Sequence, residues 1–122
     1  MGKAKEAPEE AWERTVFEAD GKTWELELSI GRLKLYERSG HTPITAILFR
    51  DNGTFTLEDL IALVGYSIKP EGGKGHVAPS TGAKMAEELI ENSGYFAVQR
   101  ALTVVLQRDC GFLFQVQREI GE

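Results

Sequence analysis

A chain of 122 residues with a net charge of −5 is enough for one domain and rarely for two. Its acidic balance argues against a nucleic-acid surface, since phosphate binding needs a basic face. No apolar run approaches the roughly 20 residues of a membrane-spanning helix, and the charged start MGKAKEAPEEAWE lacks the apolar segment of a secretory signal, so a cytoplasmic, non-membrane protein is expected.

Residues 1–11 carry charge and Pro8 and read as a flexible leader, which leaves 12–122 as a single domain. Asp20-Gly21 separates two β-prone runs and predicts a hairpin, because both central residues of a type I′ turn need positive φ. Trp24, Leu26 and Leu28 alternate with Glu25 and Glu27, so the apolar three share a face. A two-residue turn places Phe17 opposite Trp24 and Thr15 opposite Leu26. Ser29 is the expected N-cap of a helix over Ile30–Arg38 that ends at Gly40.

Thr42 is expected to cap the next helix, with Pro43 at its first position and Ile44, Ile47 and Leu48 as its apolar stripe. Asp51-Asn52-Gly53 ends it. Thr56 and Asp59 have the spacing of a capping box. Leu57, Leu60, Ile61, Val64 and Ile68 then follow one helical face as far as Pro70. Glu71–Ser80, EGGKGHVAPS, is glycine-rich and is expected to be mobile or ordered by a partner. Ser80 or Thr81 should cap a helix with Met85, Ala86, Leu89 and Ile90 inward and Glu87, Glu88 and Glu91 outward. Tyr95 to about Cys110 forms the last long helix, with Val98, Ala101, Leu102, Val105 and Leu106 at core spacing. The closing FLFQVQREIGE fits strand and helical turn equally. The fold expected is α+β, a β-hairpin packed on a bundle of about five short helices.

No residue set carries recognisable chemistry. His41 and His76 have no Cys or His at metal-ligand spacing and read as exposed loop histidines. Gly72-Gly73-Lys74-Gly75 lacks the Ser or Thr that follows the lysine of a phosphate loop. Cys110, the one cysteine, reads as a buried structural thiol in a reducing compartment. No catalytic, cofactor-binding or metal-binding residue is therefore assigned. Two apolar stripes, Ile44, Ile47 and Leu48 and Phe112, Phe114 and Val116, are either core or partner-binding surface.

The passage Asp20, Gly21, Lys22, Trp24, Leu26, Leu28, Ile30, Gly31 and Leu33 is followed by TLEDLIALVGYSIKP, a glycine-containing linker and a helix like Met85–Asn92. This pattern resembles the tail assembly chaperones of long-tailed bacteriophages, in particular small proteins encoded beside the major tail protein in gene transfer agents and prophages. The resemblance implies a protein that is not an enzyme and uses no cofactor. It implies that the chain binds and shields the tape measure protein in the host cytoplasm and recruits major tail tube protein during assembly. Self-association is compatible with that role. The alternatives are a structural tail or head–tail joining component of the virion, and a small enzyme or ligand-binding domain built on the Glu71–Ser80 loop.

Overall fold

The computed structural model describes residues 15–49 and 54–114. The leader at 1–11, Trp12, the Asp51-Asn52-Gly53 stop and the tail from residue 115 onward lie outside them.

Strands β1 (Val16–Ala19) and β2 (Lys22–Leu26) form the expected hairpin. Asp20 and Gly21 take φ of 55° and 73°, the left-handed pair that a type I′ turn requires. Phe17 faces Trp24 across the ladder, and the Leu26 amide donates to the Thr15 carbonyl at 3.0 Å. Leu26 and Leu28 are buried; Trp24 is half-buried at the rim of the core, with its indole N–H donating to the Ala19 carbonyl at 3.1 Å.

A third strand corrects the hairpin-only expectation. Ile68–Pro70 forms β3, antiparallel to β2, in the order β1-β2-β3. The preceding helix stops at Gly65, three residues short of Ile68. Two bonds turn the chain there: Ser67 Oγ donates to the Leu63 carbonyl at 2.8 Å, and Arg32 Nε donates to the Tyr66 carbonyl at 3.0 Å. The free edge of β2 offers unpaired amide and carbonyl groups, and pairing satisfies them. Ile68 stays buried, but across from Leu26 in the sheet and not on a helix.

Helix α1 (Ile30–Arg38) is capped by Ser29, whose Oγ accepts the Arg32 amide at 3.4 Å. It buries Leu33 and Tyr36, and Gly40 follows at φ 91°. Helix α2 (Ile44–Phe49) receives its N-terminal acceptor from Glu37, whose Oε2 takes the Ile44 amide at 3.2 Å, in place of the expected Thr42 cap. A carboxylate from the preceding helix suits the positive end of the helix dipole. Helix α3 (Leu57–Gly65) begins at Thr56, whose Oγ1 accepts the Asp59 amide at 3.1 Å. Leu60 and Val64 of the predicted stripe are buried, whereas Leu57 is exposed. Helix α4 (Pro79–Ser93) starts two or three residues earlier than expected, with Ala78 rather than Ser80 or Thr81 at the N-cap position, and has no side-chain cap. Proline suits the first helical position because the amide it lacks would have no partner there. Gly94, at φ 96°, separates α4 from α5 (Tyr95–Asp109), and a 3₁₀ turn follows at Gly111–Phe114.

The five apolar residues expected on α5 are all buried, packed with Leu26, Leu28, Tyr36, Leu60, Leu63 and Ile68. The end of α5 clasps the sheet. Arg108 Nη1 donates to Thr15 Oγ1 at 3.0 Å and Nη2 donates to the Leu26 carbonyl at 2.6 Å. Asp109 Oδ2 accepts the Leu28 amide at 2.9 Å, and the Cys110 thiol donates to the Leu28 carbonyl at 3.0 Å. Burial, with the Asp109 carboxylate beside it, pushes the Cys110 thiol up to about 11.

The glycine-rich loop is held by the protein itself. The Val77 amide donates to the Ile68 carbonyl at 3.0 Å and the Glu71 amide to the Thr23 carbonyl at 3.1 Å. Lys69 bridges Glu25 at 2.9 Å directly across the β2–β3 ladder. His76 is not an exposed loop residue: its Nε2 sits 2.8 Å from the Glu27 carbonyl.

Candidate functional site

Two glycines set the edge of a cleft between α3 and α4. Gly65 closes α3 and Gly82 lies in the first turns of α4, and the helices cross backbone to backbone at this pair. Both glycines are buried. At the far end, the Tyr95 hydroxyl donates to the Phe55 carbonyl, which holds the start of α3 beside the α4–α5 corner. The two helices therefore run antiparallel away from the glycine crossing.

Beyond the crossing they leave a cleft of about 450 Å³. Glu58, Ile61, Ala62 and Tyr66 line it from α3 and its C-cap, at the i, i+3, i+4, i+8 spacing of one helical face. Pro79, Ser80, Ala83 and Glu87 line it from α4 at the same kind of spacing, and His41 enters from the α1–α2 connection. Its floor is apolar and small, formed by Ile61, Ala62 and Ala83. At a rise of 1.5 Å per residue, Glu58 stands about 10 Å and Glu87 about 8 Å from the crossing, both in the same direction. Neither carboxylate has an ion-pair or hydrogen-bond partner among the described residues.

The end at the crossing is an aromatic wall. His41 stacks on Tyr36 with ring centroids 5.0 Å apart and meets Tyr66 edge-on at 5.7 Å. The Tyr66 hydroxyl donates to Ser39 Oγ at 2.9 Å, and the Tyr36 hydroxyl donates to the Thr42 carbonyl at 2.6 Å. Arg32 lies over the Tyr66 ring at 5.5 Å, and burial holds its guanidinium below the ordinary arginine range. Its Nη2 is buried without a hydrogen-bond partner among the described residues. These contacts leave the wall rigid, because each ring has a bonded or stacked neighbour.

The residues singled out from the sequence fall elsewhere. Ile44 and Ile47 are 1 % and 0 % exposed and belong to the core, which corrects their reading as partner-binding surface. The stripe is covered because its apolar side chains pack into the common core, with Glu37 binding the Ile44 amide at the start of α2. Leu48 is half-buried against the same core. Phe112 is exposed, while the Phe114 side chain and Val116 lie outside the described residues. Sequence reasoning missed five accessible apolar side chains among the described residues: Phe49 is 85 % and Phe96 76 % exposed, and Ile30, Leu57 and Leu35 are exposed as well. It also missed the cleft. The available signal was a pair of glycines, Gly65 and Gly82, each inside an otherwise helical pattern, which marks close backbone approach.

Among the described residues no group of three or more His, Cys, Asp or Glu could hold a metal ion. No helix there is long and apolar enough to cross a membrane. Comparison with known protein families, curated proteins and solved structures finds no match to this chain.

Proposed function

We propose that this protein is a cytoplasmic assembly chaperone of the phage-tail type, which binds and shields an apolar tape measure protein and brings tail tube subunits to it without catalysing a reaction. The observation that carries this reading is the set of apolar side chains left in water around a filled core. Twenty apolar residues are buried in the core among the described residues, while Phe49, Phe96, Ile30 and Leu57 stand exposed and offer contact area to a partner. The Asp20–Leu33 passage, which resembles the tail assembly chaperones, supplies the class of partner. Shielding of this kind requires contacts that a tube subunit can displace, hence a fast off-rate and modest area per contact.

Co-expression with a tape measure protein of a long-tailed phage, taken from the same source genome, tests the proposal. The tape measure protein should become soluble and elute together with this chain, and mature particles should lack the chain by mass spectrometry. Unchanged solubility and separate elution would remove the chaperone reading. Abundance in the finished tail would replace it with a structural role.

A further inference from the structure

We infer that the α3–α4 cleft receives a helical polypeptide segment that seats a small apolar side chain on Ala62 and Ala83 and sets a lysine or arginine between Glu58 and Glu87. This rests on the reading of the protein as a polypeptide-binding module and specifies the chemistry of what it binds.

Three features of the cleft select this occupant. The floor is narrow and lined by short side chains, because Gly65 and Gly82 draw the helices together on one side of it. A volume of about 450 Å³ holds a few side chains and not a folded surface. The open end carries two carboxylates, Glu58 and Glu87, on opposite walls, so a cation placed between them meets negative charge from both helices. Tyr66 and His41 line the other end, and an aromatic ring face favours apolar or cationic groups over anions. An acidic peptide would meet repulsion from Glu58 and Glu87 at the open end. A second copy of this chain is disfavoured on the same ground, since its net charge is −5.

The probe is a labelled amphipathic helical peptide with leucine, alanine and lysine on one face, titrated into the full chain and followed by fluorescence anisotropy and amide chemical shifts. Binding should perturb Ala62, Ser80 and Ala83 and weaken as salt rises. A control peptide with glutamate in place of each lysine should not bind. The double variant Glu58→Gln, Glu87→Gln should bind the lysine peptide about tenfold more weakly and lose the salt dependence, with an unchanged thermal midpoint showing that it folds. A second variant, Ala83→Trp, fills the floor without altering charge and should also lose binding. Equal binding of both peptides, or shifts confined to Phe49 and Phe96, would overturn the cleft assignment. Co-elution with the tape measure protein separates the two proposals. If wild type co-elutes and the glutamine variant does so equally, the cleft assignment fails and the chaperone reading stands. If the lysine peptide binds the cleft while no tape measure complex forms, the cleft assignment stands and the chaperone reading fails.

Discussion

Gly65 and Gly82 meet backbone to backbone, and the spacing of helices α3 and α4 follows from that one contact. A methyl group at Gly82 would overlap the Gly65 carbonyl oxygen and lie 2.9 Å from its carbonyl carbon. The obstacle is backbone, so no rotamer change relieves it. Gly82→Ala is expected to push the helices apart and destabilise the fold by about 2–3 kcal/mol. Gly65→Ala should cost less, about 1–2 kcal/mol, because its methyl would lie 3.0 Å from the Ala83 amide nitrogen and 3.1 Å from the Gly82 carbonyl carbon. Urea denaturation of the two variants checks the order.

Asp109 ties the end of α5 to β2, and its charge matters to that tie. Burial works against the carboxylate, but the Arg108 guanidinium and the Leu28 amide outweigh it, and the net result is a pKa below the ordinary aspartate range. A carboxyl with a lower pKa in the folded state gives stability that is present above its unfolded pKa. That stability is lost as pH falls through the folded value, so the loss begins near about pH 4. Asp109→Asn should cost about 1–2 kcal/mol at neutral pH. It should also flatten the acid limb of the stability curve measured by denaturation across that range.

His76 gives a second pH response at milder acidity. Burial lowers its pKa, and the Glu27 carbonyl beside it only partly offsets that effect. The folded protein therefore favours the neutral ring. The stability this provides is complete above about pH 6.5 and declines as pH falls from there toward the lowered folded value. Wild type should be less stable at about pH 5.5 than at about pH 7, and His76→Gln should show a smaller difference between the two. A slope unchanged by the substitution would assign the effect to other groups.

Trp24 distinguishes a rim residue from a core residue. A fully buried tryptophan truncated to alanine costs about 3–5 kcal/mol. Trp24 is half-buried, faces Phe17 and Pro70 across its two ladders, and keeps one indole hydrogen bond to Ala19. Trp24→Ala should therefore cost about 2 kcal/mol. Trp24→Phe, which keeps the ring and loses the hydrogen bond, should cost about 1 kcal/mol. Equilibrium unfolding followed by circular dichroism reads both.

Ile68 and the pair Ile44 and Ile47 show where reading by periodicity ends. Ile68 completes a helical stripe by spacing, yet it lies in β3, because the free edge of β2 competes for its backbone. Ile44 and Ile47 were legible as an apolar stripe, but whether it faces water or core was set by the room that the tertiary core leaves for it. The candidate cleft was less legible still. Its lining comes from three stretches far apart in the chain, and only the two glycines hinted that those stretches approach closely.

The amino-acid sequence by itself determined the features that depend on neighbours within a few residues. These are the Asp20-Gly21 turn and its Phe17–Trp24 register, the Ser29 and Thr56 caps, the Gly40 stop, and the buried face of α5. Each follows from backbone sterics, local hydrogen bonding or helical period. Only the tertiary structure decided the third strand, the Glu37 cap, the Arg108–Asp109 clasp and the glycine crossing that opens the cleft. Those depend on which distant groups can satisfy one another once the chain is compact, and a local pattern holds no record of that distance.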